Sequence, residues 1–496
     1  MMQGPKRMNL TTLIDNGTLI PLGKLINEPT SVSINSRTVE RGGFFVAIPG
    51  TQCDGTAYIK EALERGASGI ILPLEFKEQI ESNVKNSYPN VSFFVSQEVR
   101  KAASMLAATY YPLQPENIVA VTGTNGKTSV VTFIRQIWAQ LNLPAASLGT
   151  LGLVIEGRPL PPPTGTAGLN TPDPIRLHQI LQSLKEEKID HLAFEASSHG
   201  LHQHRLDSVK LKAAVFTNFT NDHLDYHQTM EAYFDAKCRL FEEIMVHDTF
   251  AVLNTDILEY EKLRNLCQRR SLKMISFGKE GETIRINSIV PQPGSQKVSL
   301  NIEGKKYEFS LPLVGEFQAY NVVAALGAVI ACGENPSSAI AACENLKGVP
   351  GRLEQAAKDI YVDYSHTPDG LKLALLSLRP HTNGKLTLVF GCGGNRDPRK
   401  RSEMGDIAHR LADKVIITDD NPRYENPAEI RQQILAKCPE ASEIASRCEA
   451  IQTALKEMVP GDVVLIAGKG HETYQLIGDK ALPFNDVEEV QKCLNP

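Results

Sequence analysis

The residues best suited to chemistry in this sequence stand together at Val121-Thr-Gly-Thr-Asn-Gly-Lys-Thr-Ser129. An apolar run, Asn117-Ile-Val-Ala-Val121, leads in and reads as a buried strand. After it, Val130, Phe133, Ile134, Ile137, Trp138 and Leu141 recur at helical spacing. The loop therefore lies between a strand and a helix N-terminus, where backbone N–H groups and the helix dipole attract a phosphate. Gly123 and Gly126 let the backbone approach an anion, Lys127 supplies a positive charge, and the Thr128 and Ser129 hydroxyls can reach a magnesium ion. A glycine-rich turn with an ordinary lysine is the plain alternative, and the agreement of strand, loop and helix argues against it. The usual spacing places a glycine five residues before Gly126, where this chain has Val121. This is a shortened phosphate loop, which points away from ordinary GTPases and P-loop kinases.

Further candidates lie along the chain. His191-Leu-Ala-Phe-Glu195 reads as a short strand ending in a carboxylate, and Ala-Ser-Ser-His-Gly200 comes next. A carboxylate at a strand end beside a phosphate loop is placed to hold Mg²⁺ directly or through water. The strand Ala213-Ala-Val-Phe-Thr217 runs into Asn218-Phe-Thr-Asn-Asp-His-Leu-Asp-Tyr-His227, dense in oxygen and imidazole groups. Its spacing matches no closed zinc site, and a solvated polar loop is the plain reading. Lys237 lies on an expected helix from Tyr233 to Ile244, where a lone lysine is usually a solvated or ion-paired residue. Between Gly149 and Thr171 the chain is rich in Gly, Pro and Thr and reads as a long, functional loop.

These residues need elements to position them. The chain has 496 residues, enough for about three domains at ~150 residues each. Residues 1–115 read as a small α/β domain, with strands at Phe44–Ile48 and Gly69–Leu72 and a helix from Tyr58 to Arg65. Residues 116–345 read as a central domain of the P-loop ATPase type with a mainly parallel sheet. Residues 346–496 read as a Rossmann-like α/β domain. In it, strands Ile360–Asp363, Leu386–Phe390, Val415–Thr418 and Val463–Ala467 each enter a polar or glycine-rich loop. Ligands bind at the carboxyl ends of such strands, and there the chain offers Arg396, Arg423, Lys469 and Glu472. The net charge of -5 argues against a general nucleic-acid binder. Nine scattered cysteines without a C-x-x-C pair fit reduced cytosolic thiols. Residues 1–16 lack the apolar core of a signal peptide, and the apolar run Val322–Cys332 is too short to span a bilayer.

Taken together, the chain resembles the Mur ligases, ATP-dependent enzymes that add amino acids to the peptidoglycan precursor. The resemblance covers nearly the whole length. It rests on Gly123–Ser129, Glu195-Ala-Ser-Ser-His-Gly200, Asn221-Asp-His-Leu-Asp225 with Lys237, Gly351-Arg352 and Tyr364-Ser-His-Thr-Pro368. Within the family, Asp420-Asn-Pro-Arg423 resembles the members that add meso-diaminopimelate. The implied reaction joins that amino acid to the D-glutamate side-chain carboxylate of UDP-N-acetylmuramoyl-L-alanyl-D-glutamate through an acyl phosphate. ATP and Mg²⁺ are implied, as is a cytoplasmic monomer, free of nucleic acid and membrane, serving cell-wall synthesis, cell shape and division.

The resemblance also implies roles by position. Gly123, Thr124, Asn125, Gly126, Lys127, Thr128 and Ser129 would hold the ATP phosphates, and Asn321, Arg352 and Asp363 would contact adenosine or its phosphates. Ile34, Ser36, Thr51, Gln52 and Cys53 would hold the uridine diphosphate end, with Asn170, Thr171, Ser197, Gln203 and Arg205 on the muramoyl-dipeptide. Arg396, Asp420, Asn421, Pro422, Arg423, Gly468 and Glu472 would hold the incoming amino acid. Thr128, Glu195, His223 and a carbamylated Lys237 would bear on magnesium, and Lys127, Lys237 and His223 would be catalytic. Asn35 and Asn170 depart from the family's more common Asp and Thr, although both still hydrogen-bond. The alternatives are a sister ligase adding L-lysine, a folylpolyglutamate synthetase, or a catalytically silent nucleotide-binding homologue.

Overall fold

The computed structural model describes residues 10–23, 25, 28–50, 54–81, 87–158 and 171–494. The chain divides into two compact units. The first contains Met1–Lys127, Asn142–Ile275 and Ala331–Gly333; the second contains Thr128–Leu141, Ser276–Ile330 and Glu334–Pro496.

The first unit carries two sheets. The N-terminal one runs Ile20–Pro21, Ser92–Ser96, Gly69–Pro73, Phe44–Val46, Val32–Ser33, with only the first strand antiparallel. Side chains alternate across a strand, so Phe44 and Phe45 enter different cores. Phe44 joins Phe94, Ala103 and Leu106 under the helix Val99–Tyr110, and Phe45 joins Ala62, Ile70 and Phe93. The expected helix at Tyr58–Arg65 is the 3₁₀ turn Gly55–Tyr58 running into the helix Ile59–Glu64.

The other sheet of this unit is built on Asn117–Thr122. Its order there is Phe250–Asn254, Ala213–Phe216, Asn117–Thr122, His191–Glu195, Ala145–Gly149, Gly152–Ile155. All pairs are parallel except the last, a hairpin. The strands are unbroken apolar runs because both faces are covered. Register does the positioning: Val121 lies opposite Glu195, and Thr122 opposite Phe216. Three strand ends therefore reach one sheet edge together. The strand Gly152–Ile155 corrects the reading of 149–171 as one continuous loop. The expected helix at Tyr233–Ile244 is the α-helix Met230–Arg239 followed by one π-helical turn, Leu240–Ile244.

The second unit holds the helix Lys127–Gln140 from Thr128 onward, whose Val130, Phe133, Ile134, Ile137 and Trp138 are all buried. An antiparallel meander is formed by Ile284–Gln292, Ser295–Ile302 and Lys305–Leu311. The helix Glu316–Ala331 comes next. The last sheet runs Glu354–Ala357, Ile360–Asp363, Val463–Ala467, Leu386–Phe390, Lys414–Ile417, Ser442–Glu443, parallel except for its first strand. Apolar clusters cover both faces. A separate hairpin, Tyr474–Ile477 with Lys480–Pro483, was not anticipated.

Behind this last sheet lies a fully buried ion pair. Arg447 Nε and Nη2 donate to the two oxygens of Asp486 at 2.7 and 2.8 Å, and neither side chain has any exposure. Arg447 Nη2 also donates to the carbonyl of Ala467 at 3.1 Å, at the end of the strand that leads to Gly468. Removing one member of a buried pair leaves the other charge desolvated. Asp486→Ala should destabilise the protein by about 3–5 kcal/mol, seen as a lower urea midpoint; an unchanged midpoint would show that Arg447 needs no partner.

Candidate functional site

The phosphate loop is stitched to the segment after the neighbouring strand. Thr124 N–H donates to the Asn218 carbonyl at 2.9 Å and Asn125 N–H to Asn218 Oδ1 at 2.8 Å. The Thr217 hydroxyl donates to the Asn125 carbonyl at 2.6 Å, and the Thr124 hydroxyl to the Thr220 carbonyl at 3.1 Å. Gly123 has φ +139°, and a Cβ there would lie 2.0 Å from Thr217 Oγ1. Only glycine fits that approach.

Two lysines converge on this loop. Lys127 Nζ donates to the carbonyls of Gly123 at 2.9 Å and Thr124 at 2.7 Å. Lys237 Nζ donates to the same Gly123 carbonyl at 2.8 Å and lies 4.4 Å above the Tyr233 ring. Lys237 is 1% exposed. Burial and then the charge of Lys127 push its amine well below the ordinary lysine range. Tyr233 is itself buried, its phenol pushed up to about 12, and donates to Thr124 Oγ1 at 3.3 Å. The solvated or ion-paired lysine expected at position 237 is thus replaced by a buried one aimed at the phosphate loop.

Glu195 ends its strand buried, accepting from Thr150 N–H at 2.8 Å and from the Thr150 hydroxyl at 3.3 Å. His223 is a left-handed residue at φ 52° whose ring stands edge-on to His199 at 4.8 Å. Burial lowers its pKa. Among the described residues no three His, Cys, Asp or Glu side chains form a metal cage. Mg²⁺ does not need one: it retains waters and is held by one or two carboxylates together with substrate phosphates. The buried Glu195 carboxylate is an oxygen donor of the kind such an ion takes, and Thr128 is itself buried in the first turn of its helix.

Four of the residues assigned to the muramoyl-dipeptide form one network. Thr171 Oγ1 donates to the Glu195 carbonyl at 2.8 Å and accepts from Ser197 N–H at 3.0 Å. Arg205 donates from Nη1 to the Thr171 carbonyl at 2.6 Å and from Nη2 to Gln203 Oε1 at 2.7 Å. At the N-terminal sheet, the Ser36 hydroxyl donates to Glu61 Oε2 at 2.7 Å beside a half-buried Ile34. Asn35 caps the turn Ser36–Thr38. Thr51, Gln52, Cys53 and Asn170 lie outside the described residues.

In the second unit, Asn321 Nδ2 donates to Gln318 Oε1 at 3.2 Å, and Gln318 Nε2 to the Arg352 carbonyl at 3.0 Å. The Arg352 guanidinium lies 5.2 Å over the Tyr364 ring. Asp363 accepts from Leu353 N–H at 2.7 Å and Ser365 N–H at 2.8 Å, and burial raises its pKa. Asn321, Arg352 and Asp363 are thus joined through Gln318 and Leu353.

At the carboxyl edge of the last sheet, Asn421 Nδ2 donates to Glu472 Oε2 at 2.8 Å. Arg423 is half-buried at φ 52°, donating from Nη1 to the Gly394 carbonyl at 2.8 Å. Its backbone is held by the unanticipated hairpin: Arg423 N–H donates to the Leu476 carbonyl at 3.1 Å, and Gly478 N–H to the Arg423 carbonyl at 2.7 Å. The nearby acids are engaged elsewhere. Asp419 pairs with Arg431, and Glu425 pairs with Arg401 at 2.8 Å. Asp420 is buried and accepts from Asn421 N–H at 2.7 Å. Gly468 has φ +116°, and a Cβ there would lie 2.8 Å from Asp420 Oδ2. Arg396 is exposed and makes no hydrogen bond to a described residue.

Comparison with known proteins covers most of the chain. Residues 28–111 match the model described as "Mur ligase family, catalytic domain". Residues 121–329 match "Mur ligase middle domain", and residues 351–470 "Mur ligase, glutamate ligase domain". A protein of Caulobacter vibrioides named UDP-N-acetylmuramoyl-L-alanyl-D-glutamate–2,6-diaminopimelate ligase is 44% identical over 95% of this chain and 98% of its own length. The chain belongs to the Mur ligase family. A solved structure of a ligase with that same name has a TM-score of 0.72 at 32% identity and covers 95% of each chain. The Thermotoga maritima MurF ligase in complex with ADP has a TM-score of 0.60 at 20% identity, covering 95% of this chain and 98% of its own, a likeness of fold. Among the described residues no helix is long and apolar enough to cross a membrane.

In this Mur ligase, side chains beyond those given roles from the sequence hold the loop and its neighbours. Thr217, Asn218 and Thr220 pin the phosphate loop, Tyr233 backs Lys237, and Gln318 bridges Asn321 to Arg352. Only their polar character beside apolar strands and helices marked them. Gly123→Ala should lower affinity for ATP by roughly a hundredfold or more, since an added methyl group must displace Thr217 and distort the loop. Calorimetric titration checks this, and binding as tight as in the unaltered chain would show that the loop does not hold the phosphates.

Proposed function

We propose that this chain is the ATP-dependent ligase that joins meso-diaminopimelate to the D-glutamate side-chain carboxylate of UDP-N-acetylmuramoyl-L-alanyl-D-glutamate. A carboxylate and an amine do not condense unaided in water. In the proposed reaction the γ-phosphoryl group of ATP passes to the carboxylate, and ADP departs. The amine then attacks the acyl carbon, and inorganic phosphate leaves. Carboxylate and triphosphate repel each other, so a fixed cation is needed between them. Lys127 suits that task on the loop. Mg²⁺, held by Thr128, Glu195, His223 and a modified Lys237, would supply further electrostatic stabilisation of the transferring group. Thr171, Ser197, Gln203 and Arg205 would fix the dipeptide, with Ile34 and Ser36 at the uridine end.

The state of Lys237 is set by its surroundings. Two ammonium groups on one carbonyl repel, and burial favours the neutral amine at Lys237. A neutral amine can attack carbon dioxide and release one N–H proton to solvent, which yields a carbamate and would turn a cation into an anionic metal ligand. We expect a carbamate resonance in the ¹³C spectrum of protein equilibrated with labelled bicarbonate. Its presence in Lys237→Ala at full strength, or full activity of that variant, would refute the assignment.

The observation that carries the choice of amino acid is Arg423. Asp419 and Glu425 are paired with other arginines, Asp420 Oδ1 accepts from Asn421 N–H, and Arg423 donates to a carbonyl instead. The guanidinium is thus available to a ligand carboxylate, which its planar fork suits. Diaminopimelate and lysine share a skeleton, but only the first carries a second carboxylate. Lysine would leave this half-buried cation with the Gly394 carbonyl alone, a loss of about 1.5–3 kcal/mol for one charged hydrogen bond, or roughly one to two decades of preference. ATP-dependent coupling across a panel of amino acids tests the reading. The unaltered enzyme should favour meso-diaminopimelate over L-lysine, and Arg423→Ala should erase most of that ratio by losing diaminopimelate use. A preference for L-lysine, or a ratio unmoved by the substitution, overturns it.

A further inference from the structure

Lys469 is fully buried, and the proposed reaction gives it no part. Its ammonium donates to Asn421 Oδ1 at 3.0 Å and to Glu472 Oε2 at 2.8 Å. Both acceptors belong to the edge assigned to the incoming amino acid. The flanking glycines leave the lysine backbone no room to shift. A Cβ at Gly468 would meet Asp420, and one at Gly470, at φ +53°, would lie 2.7 Å from Tyr364 Cβ. A filler of this space could be apolar. A desolvated ammonium is costly unless it is paired, and the attested benefit of such groups is the fixing of one arrangement.

That arrangement concerns one carboxylate. Glu472 Oε2 accepts from both Lys469 and Asn421, whereas Oε1 accepts from no described residue. The Glu472 side chain is 21% exposed, so it reaches from a buried anchor toward the surface of the pocket. Asn421 ties this anchor to Arg423: its Oδ1 also accepts from Leu476 N–H at 2.9 Å, and Leu476 in turn accepts from Arg423 N–H. The far carbon of diaminopimelate bears an ammonium beside its second carboxylate. A cation for one and an acid for the other must therefore be held in fixed relation.

We propose that Lys469 is a positioning residue. It clamps Glu472 by one oxygen so that the other accepts the second ammonium of diaminopimelate, next to the carboxylate taken by Arg423. This rests on the reaction proposed above. The probe is L-2-aminopimelate, which keeps the second carboxylate and lacks the second amine. A site built to pair a polar group rejects an analogue lacking it. The full-length enzyme should therefore prefer meso-diaminopimelate in kcat/KM by roughly a hundredfold or more. Lys469→Met should bring that ratio to within about threefold, mainly through the KM for meso-diaminopimelate. The KM values for ATP and for the nucleotide-sugar dipeptide should stay within about twofold. A merely structural role would weaken both amino acids alike and leave the ratio standing, which would overturn the proposal. Glu472→Gln, with Lys469 intact, should lose the same preference even if Lys469→Met does not fold. Retention of the preference in Glu472→Gln also overturns the proposal. Failure of the unaltered enzyme to use meso-diaminopimelate at all would sink the reaction itself, a different and distinguishable result.

Discussion

The Nζ atoms of two lysines reach one carbonyl oxygen, that of Gly123, and the strand ends beside the loop are arranged around this contact. Like charges at such range repel strongly where water is excluded. The tension is reduced if one lysine gives up its proton, and the geometry selects which. Lys127 stands on the loop, whereas Lys237 is enclosed by Tyr233 and the loop backbone. The sheet supplies the precision. Parallel register brings the ends of three strands to one edge, so the loop, Glu195 and Thr217 meet without any long connection having to find them. Thr217, Asn218 and Thr220 then hold the loop by both backbone and side chain. The loop's conformation is thus pre-set by hydrogen bonds that commit the Thr124 and Asn125 N–H groups to Asn218, instead of being induced by a ligand.

Much of this was legible because parallel strands buried on both faces read as short apolar runs, and function sits where those runs stop. Asn117–Thr122, His191–Glu195, Leu386–Phe390 and Val463–Ala467 all announce themselves in this way. Each run gives way to polar or glycine residues, and those are the candidates. The Gly152–Ile155 strand was hidden by its setting, a four-residue element leading into a stretch rich in Gly, Pro and Thr. The hairpin at 474–483 alternates weakly and is exposed on one strand throughout, so no apolar run marks it. Its importance is tertiary: it supplies the backbone partners of Arg423.

Pairing of charges was illegible for a different reason. Asp419 and Glu425 flank Arg423 in the sequence, yet both pair elsewhere. The actual partners of these acids, Arg431 and Arg401, come from two helices, Pro427–Leu435 and Arg399–Leu411. Local spacing could not decide this, because the helices choose which acid each arginine meets. Lys237 shows the same limit: on an amphipathic helix a lysine is expected to face water, and tertiary packing turned this one inward.

The second unit thus solves an accounting problem in charge. Arg401, Arg447 and Lys469 are buried cations, and each has an acid: Glu425, Asp486 and Glu472. Arg431, nearly as enclosed, has Asp419 and Glu443. A buried charge without a partner is heavily penalised, so these assignments leave little freedom for an acid to drift to Arg423. Arg423 is the exception that the pairings create. It is half-buried, forced to positive φ, held at both backbone atoms by the hairpin, and bonded through its side chain to a carbonyl. A neutral acceptor satisfies a guanidinium less fully than a carboxylate does. The neighbouring pairs therefore do more than stabilise the sheet edge: they commit Asp419 and Glu425 elsewhere and leave Arg423 on a neutral carbonyl, open to the carboxylate proposed for it.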